Sequence, residues 1–288
     1  MSKGNKSKRK PKARADKRYK PKAKKPTMAE RADRHELYEE AVQCAEVEID
    51  FVDKTFKALN GRKAVNLRED FCGTANTSCE WVRRRKTNTA IGVDLDPEVQ
   101  NWGVRHHVAK LGDAKSRIQL VNANVLDVET PKMDIVMAHN FSYWLLKERK
   151  QLLRYFERVR NTLVDDGVLF LDSFGGYEAF QELSEKTKNK GFTYVWDQHR
   201  FNPVNNEMTC YIHFHFPDGS KLKRAFEYCW RLWTMPEVRD LLEDAGYSRS
   251  TVYWEGTDED TNEGDGVFEP VEVADADPGW IAYIVAQR

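Results

Sequence analysis

Short apolar runs alternate with helix-like segments through the first two thirds of the chain. Runs typical of buried strands lie at 64–67, 90–93, 118–121, 134–138 and 167–171. Apolar residues at helical spacing occupy 30–59, 78–82, 98–111 and 150–163. Strands that alternate with helices predict a parallel sheet joined by right-handed crossovers, with helices on both faces.

The pattern changes after this region. Segments rich in aromatic and β-branched residues predict three antiparallel strands within an insertion at about 192–233, with a hairpin turn at 216–220. The remaining chain predicts one helix and two strands, at 235–245, 251–255 and 280–286. The acidic, glycine-containing stretch 256–279 is interpreted as a long loop. The whole pattern predicts an α/β fold: a Rossmann-like seven-stranded sheet, plus a small antiparallel β insertion after strand five.

Charge is distributed very unevenly along the chain of 288 residues, although its net charge is zero. Residues 1–26 contain thirteen Lys or Arg and one acid, a net charge of +12, so the remainder carries −12. Residues 1–28 have almost no large apolar side chain and are predicted to be a disordered tail before a single domain at 29–288. The tail is either a solvated extension or an electrostatic arm for RNA, ribosomes or anionic lipid.

Cysteine content and hydropathy favour a cytoplasmic location. The five cysteines are scattered and form no CxxC pair, which argues against a zinc site or a disulfide framework. No apolar run reaches the length of about 18 residues expected of a membrane span. No apolar stretch follows the basic N-terminal residues either, so no signal peptide is predicted.

The first two predicted strands end in residues suited to a nucleoside ligand. Gly73, in the turn after strand one, lets the backbone approach a ligand closely. Asp94 ends strand two about twenty residues later, where an acid accepts hydrogen bonds from ribose hydroxyls. The following Asp96-Pro97 pair is interpreted mainly as a helix cap.

These residues resemble the class I S-adenosylmethionine-dependent methyltransferase family, over about 65–171 and the terminal strands. Glu69 stands where the family has its first acid, and Cys72-Gly73-Thr74 matches the family's turn, whereas Phe71 and Ala75 replace its first and last glycines. The resemblance implies methyl transfer with S-adenosylmethionine as cofactor. It implies cofactor contacts at Glu69, Phe71, Cys72, Gly73, Thr74, Asp94, Leu95, Asn124, Val125 and Asn140.

The resemblance places the methyl acceptor near 138–144, after strand four. His139 is either a general base or a structural histidine, and Tyr143 is a second catalytic candidate. Asp172, at the end of strand five, either binds an amine or caps a helix. Aromatic side chains there suit a cationic sulfonium.

The insertion is expected to cover the acceptor pocket, as in small-molecule N-methyltransferases. Its candidate pocket residues are Trp196, Tyr211, His213, His215, Tyr228, Arg231 and Trp233. The two histidines have no third ligand of matching spacing, so no metal is predicted.

Several alternatives stay open at this point. An NAD-binding protein would share the ribose acid, but the full Gly-x-Gly-x-x-Gly is absent. A non-catalytic adenosylmethionine-binding protein is the second alternative. The acidic body favours a small-molecule acceptor, whereas the basic tail favours RNA or a ribosomal protein. Adenine- or glutamine-methylating enzymes have an Asn-Pro-Pro-Tyr-like motif after strand four. This chain has Asn140-Phe141-Ser142-Tyr143 there instead, which weakens the case for such an acceptor.

Overall fold

A computed structural model shows one large mixed sheet and one smaller antiparallel sheet. It describes Met1 and residues 25–257 and 264–288. The predicted tail falls largely on residues 2–24, which lie outside that part of the chain, so its disorder stays a prediction. No described helix is long and apolar enough to cross a membrane.

Five parallel strands form one side of the large sheet, from its edge inward, as the alternating pattern predicted. In spatial order they are β3 (Ile118–Asn122), β2 (Thr89–Asp94), β1 (Asn66–Asp70), β4 (Met133–Ala138) and β5 (Leu163–Gly175). The helices between them are α4 (Asn76–Arg84), α5 (Pro97–His106) and α6 (Arg149–Thr162). All carboxyl ends of these strands therefore meet at one edge, where ligands of open α/β sheets bind.

Two hydrophobic clusters cover the faces of this sheet. One face packs on α4 and the preceding helix α3 (Ala45–Asn60), through residues such as Phe56 and Trp81. The other face packs on α6 and the later helix α7 (Met235–Asp244), through residues such as Phe156 and Leu241. The predicted helices on both faces are confirmed.

The other edge of the large sheet is antiparallel. The last strand β12 (Trp280–Gln287) lies between β5 and β10 (Arg249–Thr257) and is antiparallel to both. Dinucleotide-binding folds instead have the order 3-2-1-4-5-6. The reversed strand beside β5 therefore argues against the NAD-binding alternative.

Two strands differ from the sequence prediction. The stretch 256–279 is not one long loop, because β11 (Gly264–Val271) pairs with β10 and makes the large sheet eight-stranded rather than seven-stranded. The small sheet begins earlier than 192, with β6 (Leu183–Asn189). Both strands are mostly exposed and lack a regular apolar alternation, so the hydrophobic pattern did not reveal them.

The small sheet follows the order β6, β7 (Phe192–Asn202), β8 (Glu207–His215) and β9 (Lys221–Arg231), and is antiparallel throughout. Its inner face looks toward the carboxyl edge of the large sheet, and its outer face looks away.

The predicted helical stretch 30–59 is divided into α2 (Arg34–Val42) and α3, after a short α1 (Met28–Arg31). Asp33 caps α2 by accepting a hydrogen bond from the His35 amide at 2.8 Å. Apolar residues of α2 pack against Phe214 and Phe226 of the small sheet. The N-terminal helices therefore join the small sheet to the large one.

Candidate functional site

The turn after β1 adopts the backbone conformation that glycine favours, although only one of its residues is glycine. Phe71, Gly73 and Ala75 have φ of 57°, 52° and 57°. A non-glycine residue in the left-handed region costs roughly 1–2 kcal/mol, and such strain clusters at functional sites. Hydrogen bonds from the Cys72 amide to the Val93 carbonyl (3.0 Å) and from the Ala75 amide to the Cys72 carbonyl (2.7 Å) hold the turn.

A β-carbon added at Gly73 would meet no atom within 4 Å, so the turn faces open space. The other side of the turn is closely packed, since a β-carbon at Gly103 of α5 would lie 2.0 Å from the Thr74 carbonyl oxygen. Gly103 therefore allows α5 to pack against one side of the turn, while Gly73 leaves the opposite side accessible.

Asp94 ties this turn to the end of β2. Its Oδ2 accepts a hydrogen bond from the Gly73 amide at 2.8 Å, and its Oδ1 accepts one from the Asp96 amide at 2.8 Å. Burial raises the pKa of Asp94. Each oxygen keeps a further lone pair, so the carboxylate can also accept ribose hydroxyls. Asp96 caps α5 through the Glu98 amide, as the sequence predicted.

Three further residues predicted to contact the cofactor, Leu95, Asn124 and Val125, lie just after the ends of β2 and β3. Leu95, directly after β2, is 68% exposed. Asn124 is exposed and its side-chain oxygen accepts a hydrogen bond from the Leu126 amide at 2.9 Å, whereas the side chain of Val125 is buried. Leu95 and Asn124 remain accessible to a ligand, and the Val125 side chain belongs to the core.

Glu69 is a buried carboxylate that holds the start of α4. It accepts hydrogen bonds from the Ser78 amide at 2.8 Å and from the Ser78 hydroxyl. Burial raises the pKa of Glu69 to about 7, against the lowering effect of these hydrogen bonds. Its charge is therefore poorly stabilised by the protein alone.

Glu48 of α3 brings a second buried carboxylate to the same place, which the sequence analysis missed. Its Oε2 lies 3.4 Å from Nδ1 of His139 and 3.5 Å from the Thr77 hydroxyl. Glu48 stands on the stripe of α3 that carries Ile49 and Val52, and an acid on a buried stripe was the available signal.

His139 is buried and does not line the large cavity described below. Burial lowers the pKa of His139, but the hydrogen bond and charge of Glu48 outweigh burial and leave it raised. Its Nε2 is buried and has no hydrogen-bond partner among the described residues. The geometry favours the structural histidine over the general base. His139 is a buried partner of Glu48, and its Nε2 forms no hydrogen bond with the described residues.

Asp172 shapes the loop after β4. Its Oδ2 accepts a hydrogen bond from the Asn140 amide at 2.6 Å, and its Oδ1 accepts one from the Phe141 amide at 2.9 Å. Asn140 and Phe141 have left-handed φ of 57° and 56° in succession. Burial raises the pKa of Asp172 to about 6. Its two oxygens thus position a strained loop, and it caps no helix.

Tyr143 is a core residue. Its side chain is fully buried in the hydrophobic core, and its hydroxyl has no hydrogen-bond partner among the described residues. It does not line the cavity. The geometry therefore gives no support to a catalytic role for Tyr143.

Helix α2 lies across the turn after β1. Oε1 of Glu39 accepts a hydrogen bond from the Thr74 hydroxyl at 2.6 Å and lies 2.7 Å from Nε2 of His107. At the start of the same helix, Asp33 accepts a hydrogen bond from the Trp102 indole at 2.7 Å. The N-terminal segment thereby contacts the proposed cofactor turn, a feature that sequence periodicity did not indicate.

A cavity of about 590 Å³ opens beside the β4 loop, where Asn140 and Phe141 form part of its wall. Helix α2, the ends of β5 and β12, and the inner face of the small sheet enclose it. Its aromatic lining residues are Tyr38, Phe141, Phe174, Tyr194, Trp196, Tyr228, Trp230 and Trp280. The charged residues that line it are all acidic, namely Glu178, Glu185 and Glu255.

The insertion contributes to this cavity with only one of its faces. Among the predicted pocket residues, Trp196 and Tyr228 line the cavity. Tyr211, His213 and His215 lie on the outer face. The remaining two line neither the cavity nor the outer groove: Trp233 is in the core, and Arg231 stacks over its ring at 3.6 Å.

Comparison with solved structures shows the fold of this chain. A methyltransferase of Clostridium acetobutylicum that depends on S-adenosylmethionine matches with a TM-score of 0.64 at 16% identity, over 88% of this chain and 96% of that one. CalS10 of Micromonospora echinaspora, an amino pentose methyltransferase solved with S-adenosylmethionine bound, has a TM-score of 0.63 at 15% identity, over 88% and 95%. DesVI of Streptomyces venezuelae has a TM-score of 0.62 at 16% identity, over 88% and 98%.

No protein-family model matches the sequence, and no curated protein matches it either. The solved structures, similar at 13–16% identity, establish a class I methyltransferase fold for this chain. The predicted Rossmann-like fold is confirmed, apart from the eighth strand.

Proposed function

We propose that this chain is an enzyme that transfers the methyl group of S-adenosylmethionine to an amine of a small molecule. The observation that carries the proposal is the cavity of about 590 Å³ beside the β4 loop, with its aromatic wall and exclusively acidic charged lining. Aromatic faces and carboxylates both attract ammonium groups. A phosphate-bearing acceptor would be repelled by the same lining.

The residues at the carboxyl edge fit the cofactor. Gly73 faces open space, Asp94 has lone pairs for ribose hydroxyls, and Leu95 offers an exposed apolar surface to an adenine ring. Two buried carboxylates, Glu48 and Glu69, suit the positive charges of the methionine part. When bound, S-adenosylmethionine supplies a methyl group on a leaving group that is already activated.

The contribution of the protein is then positioning and exclusion of water, since no group must activate the leaving sulfur. The cavity carboxylates hold the acceptor amine, and after transfer one of Glu178, Glu185 and Glu255 takes the proton that the nitrogen loses. Asp172 fixes the backbone of Asn140 and Phe141, which separates the two ligands. His139, Tyr143 and Asp172 serve as supports in this scheme.

Two structural neighbours are consistent with an amine acceptor. CalS10 is described as an amino pentose methyltransferase, and KedS8 of Streptoalloteichus, with a TM-score of 0.59 at 16% identity, as a sugar N-methyltransferase.

The cytoplasmic location of the protein remains a prediction from the sequence.

Incubation of the full chain with methyl-labelled S-adenosylmethionine tests the proposal, with separate sets of small amines, alcohols, carboxylic acids, RNA and ribosomal protein. We expect label in amines, at a rate that rises with pH as the free amine becomes available. Label only in alcohols or acids would disprove the amine assignment, and label in macromolecules would disprove the small-molecule assignment. Calorimetry with S-adenosylmethionine and with NAD provides the independent check: absence of adenosylmethionine binding would reject the methyltransferase function altogether.

A further inference from the structure

The outer face of the small sheet has the opposite charge to its inner face. Because side chains alternate along a strand, residues two apart on each strand share this outer face. It forms a shallow groove whose exposed cations include Lys186, Lys221, Lys223 and Arg224. Within the part of the chain that the structure describes, none of these four side chains forms an ion pair.

Strand register arranges the outer-face cations in rows that cross the sheet. The first row runs from Lys188 through Thr193 and His215 to Lys221. The second runs from Lys186 through Val195 to His213 and ends at a bulge of β9, where the Arg224 amide donates a hydrogen bond to His213 Nδ1 at 2.8 Å.

Acids appear only further along the same face. Asp197 and Glu227 lie in the third row, on either side of Tyr211. Oδ2 of Asp197 accepts a hydrogen bond from His213 Nε2 at 3.3 Å, which leaves the cations of the first two rows unneutralised. Positive charge is therefore concentrated at the end of the sheet that bears the β8–β9 hairpin.

The basic N-terminal segment joins the body at that same end. The Met28 amide donates a hydrogen bond to Oδ2 of Asp218 at 2.8 Å, and the Ala29 amide donates one to the Ser220 hydroxyl at 3.1 Å. Both acceptors belong to the hairpin between β8 and β9. Met28, which follows the segment 1–26 with its net charge of +12, therefore lies beside the hairpin next to the first row of cations.

We infer that this outer face of the small sheet binds the phosphodiester backbone of a single-stranded nucleic acid. Unpaired Lys and Arg side chains supply the sequence-independent attraction for phosphates. Imidazole rings of His199 and His215 on the same face can stack on unpaired bases, which a duplex does not present. Among residues 25–257 and 264–288, none of the exposed large apolar side chains lies on this face, which argues against insertion into a lipid surface.

The bound strand is not the methyl acceptor. The small sheet separates the basic groove from the acidic cavity, since Trp196 and Ile212 face the cavity while their neighbours Asp197 and Tyr211 face the groove. Nucleic acid bound here would anchor the enzyme without entering the site of transfer. This inference stands independently of the proposed methyl transfer, because binding needs no cofactor.

Fluorescence anisotropy of labelled oligouridine and oligodeoxythymidine, each of about twenty nucleotides to exceed the usual site size, tests the inference on the full chain. The variant Lys186→Glu/Lys221→Glu/Lys223→Glu changes the groove. The control Lys54→Glu/Lys110→Glu/Lys115→Glu reverses three exposed lysines elsewhere, with the same change of net charge. A third variant replaces every Lys and Arg of residues 1–26 with Ser.

We expect the groove variant to lose more than tenfold in affinity at moderate salt. Its plot of log affinity against log salt should flatten by about 2, from about 0.7 per lost phosphate contact. The tail variant should weaken binding as well, and the control should stay close to the parent chain. Tighter binding of RNA than of DNA, or the reverse, would identify which source supplies the strand.

Three results would overturn the inference. These are absence of binding to both oligonucleotides, equal losses in the groove variant and its control, and a groove variant that binds like the parent while the tail variant does not. Binding to phosphatidylserine vesicles without oligonucleotide binding would likewise replace it with a membrane surface. Thermal unfolding should be the same for the groove variant and the parent, because the three lysines are exposed and form no ion pairs.

Discussion

Backbone groups and a few buried carboxylates form the proposed cofactor site, whereas the proposed acceptor cavity is formed mainly by aromatic and acidic side chains. Around the turn after β1, main-chain amides, left-handed residues and buried carboxylates fix the geometry. In the cavity beside the β4 loop, aromatic and acidic side chains from α2, the small sheet and the neighbouring ends of the large sheet form the wall. The first arrangement specifies one ligand closely, whereas the second can change its ligand through side-chain substitutions alone.

This difference predicts that variants will separate two kinds of binding. Changes at the turn should affect S-adenosylmethionine, and changes in the cavity should affect the acceptor. A variant of one region that altered both affinities equally would show that the regions are not independent.

The largest effect is expected from Gly73→Val. Its φ of 52° is strained for any side chain and more so for a β-branched one, and the new side chain would occupy the open space in front of the turn. We expect calorimetry to detect no binding of S-adenosylmethionine at millimolar concentration. Gly112→Val is the matched control, since Gly112 has φ of 57° and equally open surroundings away from the site. Equal loss of binding in both variants would mean that strain, rather than ligand contact, is responsible.

Glu69→Gln should change the pH dependence of stability. Burial raises the pKa of Glu69 from 4.5 to about 7, so the folded state favours the neutral carboxyl. The stability that this group contributes is complete below pH 4.5 and is lost as the pH rises through 7. Glutamine stays neutral, and we expect the variant to gain roughly 3 kcal/mol over the parent between pH 4.5 and 8.

Urea unfolding of the ligand-free chain at pH 5 and pH 8 measures this gain, with the exposed Glu157→Gln as control. A difference that does not grow with pH would show that Glu69 is already well stabilised as a carboxylate. Binding of S-adenosylmethionine should become weaker in the same variant, because a neutral amide no longer attracts a cation.

The cofactor end of the sheet could be predicted from the sequence because its elements are local. The turn after β1, the acid that ends β2 and the cap at Asp96 each lie within a few residues of a buried apolar run. The left-handed conformation of Phe71 and Ala75 also agrees with their place at positions where the resembling family has glycine.

The other half depended on contacts between distant residues. Glu48 contacts His139, which lies 91 positions later in the sequence. Tyr38 lines the cavity from α2, a helix that the sequence pattern did not separate from α3. Strands β6 and β11 expose most of their residues, so no apolar alternation marked them. These two strands are stabilised by pairing with a neighbouring strand, and such pairing leaves little trace in a single sequence.

Asp94→Ala tests the cofactor side more gently. The change removes the hydrogen bonds proposed for ribose, at a cost on the order of 1–3 kcal/mol, or about 10- to 100-fold in affinity. Asp96→Ala is the control: it removes the cap of α5 and should lower the melting temperature through about 1 kcal/mol of stability while leaving cofactor affinity unchanged. Unchanged affinity in Asp94→Ala would exclude the ribose contact.

The smallest effect is expected in the cavity, where three carboxylates share one task. Glu178→Gln/Glu185→Gln/Glu255→Gln should raise the KM for an amine acceptor by about tenfold, since partly exposed charges contribute less than about 1 kcal/mol each. Affinity for S-adenosylmethionine should not change. Glu227→Gln, an exposed acid on the outer face of the small sheet, should leave KM unaltered. Because Glu185 and Glu227 lie on opposite faces of the small sheet, a KM that rose equally on Glu185→Gln and on Glu227→Gln would point to the overall charge of that sheet, and only a rise confined to the inner face assigns amine binding to the cavity.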